Sequence, residues 1–219
     1  TLEGAIGRLL TVRAGSGDDT ITLDAGSSVG RDTLLSLGSG DNTLSAAGSI
    51  GRRLVVNAGV GDDTIALMAS SLIGRGISLG LGGGDNSLSS AGTITGKLSY
   101  RGGAGNDELT IAPEGSVNGN VDVRLGQGDN TFDHNGKIVG NLKVVSANVD
   151  DTLTVADDAI VTGTTTLGAG EQELEHRGSH GDDNDGHGSG PRESQPGDIN
   201  GQSGRGAQAV GRLISRIRR

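Results

Sequence analysis

Apolar side chains recur along this chain at fixed offsets from one acidic position, which is occupied by Asp18, Asp41, Asp62, Asp85, Asn106, Asp129, Asp150 and Glu171. The residues eight and six before it are apolar and flanked by polar ones, as in Leu10 and Val12, Leu54 and Val56, Ile77 and Leu79, Leu98 and Tyr100, and Val121 and Val123. This period-two alternation predicts a strand with one buried face. Ile21-Thr22-Leu23, Ile65-Ala66-Leu67, Leu109-Thr110-Ile111 and Leu153-Thr154-Val155 predict a second short strand just after the acidic position. A third apolar site follows near a glycine, at Val29, Ile50, Ile73, Ile94, Val117 and Ile138.

The acidic position sits in a recurring motif, Gly-x-Gly-Asp-Asp/Asn-Thr/Ser-apolar, first met at Gly15-Ser16-Gly17-Asp18-Asp19-Thr20-Ile21. Successive motifs are separated by 23, 21, 23, 21, 23, 21 and 23 residues, so the unit is a 44-residue double repeat of unequal halves. Three short strands and glycine-rich turns in about 22 residues fit one coil of a parallel β-helix, with a perimeter of roughly 73 Å and coils stacked about 4.8 Å apart. The expected fold is therefore an all-β parallel solenoid over residues 1–176. An array of hairpins turned at Gly-Asp is the structural alternative, because the same residues favour hairpin turns.

Two columns support a shared interior. Four residues before the acidic position the chain reads Ala14, Leu37, Ala58, Leu81, Gly102, Leu125, Ser146 and Leu167, alternating small and large. Five after it, Leu23, Ala46, Leu67, Ser90 and Ile111 alternate in the opposite phase. A large side chain on one wall then meets a small one on the other, as a narrow core of constant density requires.

Composition changes the picture in several ways. Glycine contributes 42 of 219 residues, there is one Tyr, one Phe and no Trp, and a conventional two-layer core built on large side chains is not expected. Cysteine is absent, which excludes disulfides and thiol chemistry. No apolar run reaches the length of a membrane span. The formal net charge is −9, which disfavours nucleic acid as a partner. Arg205, Arg212, Arg216, Arg218 and Arg219 gather at the end of the chain, whose start at Thr1 suggests a processed product or a fragment.

The candidate chemistry lies in two acidic columns. The first runs Asp18, Asp41, Asp62, Asp85, Asn106, Asp129, Asp150; the second runs Asp19, Asn42, Asp63, Asn86, Asp107, Asn130, Asp151. Carboxylates stacked at about 4.8 Å repel one another by roughly 1 kcal/mol in water and about 3–4 kcal/mol at an effective dielectric of 20. Either a row of calcium ions offsets this, since Ca²⁺ takes carboxylate and carbonyl oxygens, or the Asp and Asn side chains hydrogen-bond turn backbones while Asn dilutes the charge. The calcium reading assigns Asp18, Asp19, Asp41, Asp62, Asp63, Asp85, Asp107, Asp129, Asp150 and Asp151 as ligands.

Here the chain resembles the haemolysin-type (RTX-like) calcium-binding repeat, Gly-Gly-x-Gly-x-Asp-x-apolar-x, which Gly102 to Thr110 matches at every fixed position. Ala14 to Thr22 and Ala58 to Ala66 match except at the first Gly, while Leu81 to Ser89 and Leu125 to Asp133 carry Asn for Asp. The resemblance implies calcium between coils, best matched at Asp19, Asp63, Asp107 and Asp151. It covers about 9 of every 22 residues, so half of each family site is missing. The longer coil is similar to the β-helical repeats of secreted bacterial adhesins and autotransporter stalks. That likeness implies an extracellular or cell-surface structural segment with a glycan or protein receptor.

Other chemistry is less well supported. Thr20-Ile21-Thr22 and Thr43-Leu44-Ser45 resemble the threonine rows of ice-binding solenoids, but Ala66, Glu108, Asp133 and Glu173 interrupt them. A polysaccharide-processing enzyme on a β-helix would need clustered acids and aromatic subsites. Tyr100 and Phe132, however, fall in core phase, and His134 and His176 read as rim or core residues. The expectation is that the chain is not an enzyme. Residues 177–204 read as a disordered Gly/Asp-rich linker. Its Asp182–Gly186 and Asp198–Gly201 stretches lack a full calcium-loop spacing, and His176, His180 and His187 are a weak transition-metal set. Residues 205–219 read as a short basic amphipathic helix, the one part expected to reach a membrane, an acidic partner or the solenoid's own end. Open coil ends also allow end-to-end self-association.

Overall fold

The structure is a computed structural model that describes residues 1–148, 150–169 and 172–176. The expected linker and terminal helix lie outside the described residues. The chain winds as a parallel β-solenoid whose strands form a nine-stranded, a seven-stranded and an eight-stranded sheet. Each coil contributes one strand to each sheet, such as Gly76–Gly83, Ser87–Ser90 and Thr93–Ile94. Like positions stack on like. Ile77 pairs with Leu98 and Leu98 with Val121, Ile65 with Leu88 and Leu88 with Leu109, and Ile73 with Ile94.

Every strand pairing between coils is parallel, which rules out the hairpin array. One antiparallel pairing closes the described solenoid: Gln172–His176 folds back on Thr165–Ala169, with Leu174 opposite Leu167. His176 belongs to this hairpin.

The 23/21 alternation has a local origin. In the longer coils a β-turn follows the seven-stranded sheet, closed by Ser27 N–H to Asp24 O (2.8 Å), Ser71 N–H to Met68 O (2.8 Å) and Gly115 N–H to Ala112 O (2.8 Å). The shorter coils pass the same corner with two residues fewer. They place Gly48 and Gly92 where a Cβ would overlap Ser27 Oγ and Ser71 Oγ of the coil before. Long and short coils thus interlock, one supplying a turn and the next the room for it.

The interior shows the predicted packing. Leu37 is buried with Ala46, Leu81 with Ser90, and Gly102 with Ile111. Tyr100 and Phe132 are fully buried in the same core. One coil breaks the rule, because Leu125 and His134 are both large and both buried. His134 Nε2 lies 3.4 Å from Ile160 O, and Nδ1 has no partner. Burial pushes its pKa down, so it is a neutral core side chain.

The glycine before each acidic position turns the chain between sheets. Gly40, Gly61, Gly84, Gly105 and Gly128 have φ of 112°, 140°, 119°, 132° and 105°, a region that residues with a Cβ rarely enter. A Cβ on Gly61 or Gly84 would also overlap the carbonyl of Gly40 or Gly61 one coil away. Gly61→Ala and Gly84→Ala should each lower stability by at least about 2 kcal/mol in denaturant titrations. Gly15→Ala, with open space around its Cβ, should change it by under about 1 kcal/mol.

Candidate functional site: two ladders at one corner

Where the nine-stranded sheet meets the seven-stranded one, the Gly-x-Gly segment still bonds coil to coil through its backbone, the two acidic positions after it give their N–H groups to side chains instead, and the two columns of the motif face opposite ways. Asp18, Asp41, Asp62, Asp85, Asn106, Asp129 and Asp150 are exposed. Asn42, Asp63, Asn86, Asp107, Asn130 and Asp151 are buried, and Asp19 in the first coil is half-buried.

The outer column is a ladder of side chain to backbone. Asp18 Oδ1 accepts the Asp41 N–H (2.8 Å), Asp41 Oδ1 the Asp62 N–H (2.8 Å), and Asp62 Oδ1 the Asp85 N–H (2.7 Å). Asp85 Oδ1 then accepts the Asn106 N–H (2.7 Å) and Asn106 Oδ1 the Asp129 N–H (2.8 Å). Each side chain reaches the following coil. Because only Oδ1 is used, an anionic stripe still faces solvent.

The inner column runs the other way. Asn42 Oδ1 accepts the Asp19 N–H (3.1 Å), Asp63 Oδ1 the Asn42 N–H (3.1 Å), and Asn86 Oδ1 the Asp63 N–H (3.1 Å). Asp107, Asn130 and Asp151 continue it at 3.1, 2.8 and 2.6 Å. Each of these side chains reaches the preceding coil. The two ladders therefore grip every coil from both sides, satisfying backbone donors that the corner takes from the sheets.

Asparagine at alternate levels adds a donor. Asn42, Asn86 and Asn130 give Nδ2–H to the carbonyls of Gly40 (2.8 Å), Gly84 (3.0 Å) and Gly128 (3.1 Å). Asn42 and Asn130 also donate to Asp63 Oδ1 (2.8 Å) and Asp151 Oδ1 (3.3 Å). Interleaving places buried carboxylates two coils apart, about 9.6 Å, which halves the repulsion of adjacent levels.

Burial pushes the carboxyl pKa up at Asp63, Asp107 and Asp151, while hydrogen bonds from Asn42, Asn86 and Asn130 respectively oppose the shift. Asp107 also accepts the Gly103 N–H at Oδ2 (3.2 Å), in space that a Cβ on Gly102 would fill. Asp63 Oδ2 and Asp151 Oδ2 are buried without a partner. Oδ1 of Asp63 plays the part that Oδ1 plays in Asn42, so Oδ2 takes the place of the amide nitrogen with no proton to give to the turn.

The ten residues assigned to calcium thus divide into an exposed row (Asp18, Asp41, Asp62, Asp85, Asp129, Asp150) and an inner row (Asp19, Asp63, Asp107, Asp151). Among the described residues no three His, Asp or Glu side chains converge on one point that could hold a metal ion. Oδ1 of Asp18, Asp41, Asp62, Asp85, Asp63, Asp107 and Asp151 each meets a backbone N–H of an adjacent coil. Sequence reasoning assigned Asn42, Asn86 and Asn130 hydrogen bonds to their own turns as well as a diluting role; they donate to the Gly40, Gly84 and Gly128 carbonyls two residues back and supply the ladder's only side-chain donors among the described residues. Their strict alternation with Asp was the available signal. A smaller ladder at the entry to the nine-stranded sheet was missed: Asp32 accepts the Arg53 N–H (3.1 Å), and Asn120 and Asn141 accept the Asn141 and Thr164 N–H groups (2.9 Å each).

A carboxyl whose pKa is raised on folding binds its proton more tightly in the folded chain. The burden of burying Asp63, Asp107 and Asp151 is thus greatest above their folded pKa values and eases as pH falls toward 3.8, the unfolded value. Asp63→Asn should raise the urea midpoint at about pH 7.5 and lose much of that gain near pH 4.5. Asn86→Asp, which sets three carboxylates on consecutive levels, should cost about 2 kcal/mol or more at neutral pH. Equal midpoints for Asp63→Asn and the parent chain at both pH values would contradict the ladder's electrostatics. Compared with known protein families, curated proteins and solved structures, the chain matches none, so the geometry of the coil and its corner carries the functional reading.

Proposed function

We propose that the chain is a structural segment displayed outside the cell, a self-supporting solenoid that presents its lateral faces to a glycan or protein receptor and performs no catalysis. One observation carries this reading: the acidic side chains, the residues best suited to chemistry, run along the solenoid axis and are engaged by backbone N–H groups of adjacent coils. An acid–base site needs such groups brought together around one substrate, within hydrogen-bond reach of the protons they move. The aromatic rings that would stack on a sugar in a processing cleft, Tyr100 and Phe132, lie in the core.

The faces left for recognition are regular. On the seven-stranded sheet Thr20, Thr43, Thr64 and Ser87 stand in register, and Thr22, Ser45, Ala66 and Ser89 form a parallel column beside them. Glu108 and Asp133 continue these columns and break their uniformity. Hydroxyls interspersed with acids suit hydrogen bonding to a hydrated glycan better than a flat ordered array. Calcium enters this reading as a counter-ion of the exposed aspartate stripe, held diffusely by charge.

On this reading the corner hydrogen bonds, rather than a metal, hold coil to coil. Calorimetric melting in about 2 mM Ca²⁺ and in excess chelator should agree within about 2 °C, and unfolding on chelation would overturn this point. Binding to immobilised glycans or intact cells tests display. Thr20→Lys with Thr64→Lys should weaken it at least about tenfold with melting unchanged, and a chain that binds neither surface contradicts the adhesive role.

A further inference from the structure

The two long borders of the nine-stranded sheet carry opposite charge. Arg8, Arg31, Arg52 and Arg75 occupy one position in four successive coils, at the entry to that sheet. Their backbones stack directly, with Arg31 N–H to Arg8 O at 3.0 Å, Arg52 to Arg31 at 3.1 Å and Arg75 to Arg52 at 2.9 Å. In the same four coils, at the exit from the sheet, stand Asp18, Asp41, Asp62 and Asp85.

Among the described residues neither row forms an ion pair, although Asp32 lies close enough to Arg52 to feel its charge. The ion pairs among the described residues are Arg53–Asp32 and Arg124–Asp122, and neither involves a member of the two rows. Like charges therefore stack one coil apart on both borders, and an opposite charge at the same pitch would relieve both. The pitch is shared because the same coil stacking sets it.

The rows also break together. In the fifth coil Gly96 stands at the arginine position and Asn106 at the aspartate position. Asp129 and Asp150 resume the acidic row with no arginine at the matching level. Apolar side chains accompany both borders within these coils: Leu9, 48% exposed, follows Arg8, and Val60, 72% exposed, is two residues before Asp62.

We propose that the arginine row of one chain docks on the aspartate row of a second copy, side by side and coil against coil. Both rows border the same sheet, so one copy reaches the next by sideways translation. Translation leaves a free row on each outer border, and the contact therefore propagates as an open ribbon with the nine-stranded sheets on one face. A second copy fits better than a polyanion, because a chain of net charge −9 repels extended anions, whereas the second copy brings its acids at the matching levels. The stripe spans only four coils, about 19 Å, so association is weak and salt-sensitive. It extends the structural role proposed above by giving the solenoid a lateral partner, and it stands or falls separately from receptor binding.

Sedimentation velocity on the whole chain in a concentration series tests this. Association should appear at up to about 0.5 mM in low salt and weaken at least about tenfold in about 0.5 M NaCl. Two substitution sets should each abolish it without lowering the melting temperature. One is Arg8→Gln, Arg31→Gln, Arg52→Gln and Arg75→Gln. The other is Asp18→Asn, Asp41→Asn, Asp62→Asn and Asp85→Asn, which keeps the ladder because Asn106 Oδ1 already accepts a backbone N–H there. A chain that stays monomeric throughout overturns the proposal, as does association that survives either set. So does association that survives both sets and is lost only on deleting residues 205–219. Heparin binding that needs the arginines while the chain remains monomeric would assign the row to a polyanion instead.

Discussion

Coil-to-coil hydrogen bonding at the Gly-Asp corner is the constraint on which the rest of this structure depends. A parallel sheet satisfies its backbone only while the chain runs straight, and a solenoid must turn between sheets in every coil. At this corner the turn removes two consecutive N–H groups from the strand ladder. Two side chains per coil replace the missing acceptors, one reaching forward from the outer column and one reaching back from the inner. The glycine before them is required because the turn enters left-handed backbone space and packs against a carbonyl of the coil before.

That arrangement governs the electrostatics. Side chains that replace a strand ladder must repeat at every level, and carboxylates at every level would repel strongly where they are buried. On the outer column water screens the charge, and aspartate continues with one amide at Asn106. On the inner column burial forbids it, and Asp alternates with Asn from Asp19 to Asp151. The amide keeps the acceptor in the same place, removes the charge and contributes a donor to a glycine carbonyl. The 23/21 rhythm matches this alternation, because the coils with the extra turn are those whose inner residue is Asp.

Much of the fold was legible because stacking places like residues on like. The strand positions, the three sheets' apolar columns, the small-to-large complement of Leu37 with Ala46 and Leu81 with Ser90, and the core placement of Tyr100 and Phe132 all follow from residue spacing. The candidate site was legible as two columns, with side-chain bonds to the turn backbone as one of two readings, but not as ladders that join one coil to the next. Whether an aspartate faces a cation or an N–H depends on side-chain direction at a glycine turn, and residue type is the same in both cases. Gly168 to Leu174 keeps the motif's outline, yet Gln172–His176 pairs antiparallel with Thr165–Ala169. His134 shows the limit of the packing rule, since Leu125 and His134 fill the same coil.

Native-state hydrogen exchange at the corner amides tests most directly whether the two ladders hold the coils together. The backbone N–H groups of Asn42, Asp63, Asn86 and Asp107 should exchange as slowly as those of Ile65 and Leu88 in the adjoining sheet, near the limit set by global unfolding. Exchange of these amides on the timescale of open loops, with the sheet amides still protected, would show that the corner is not what binds one coil to the next.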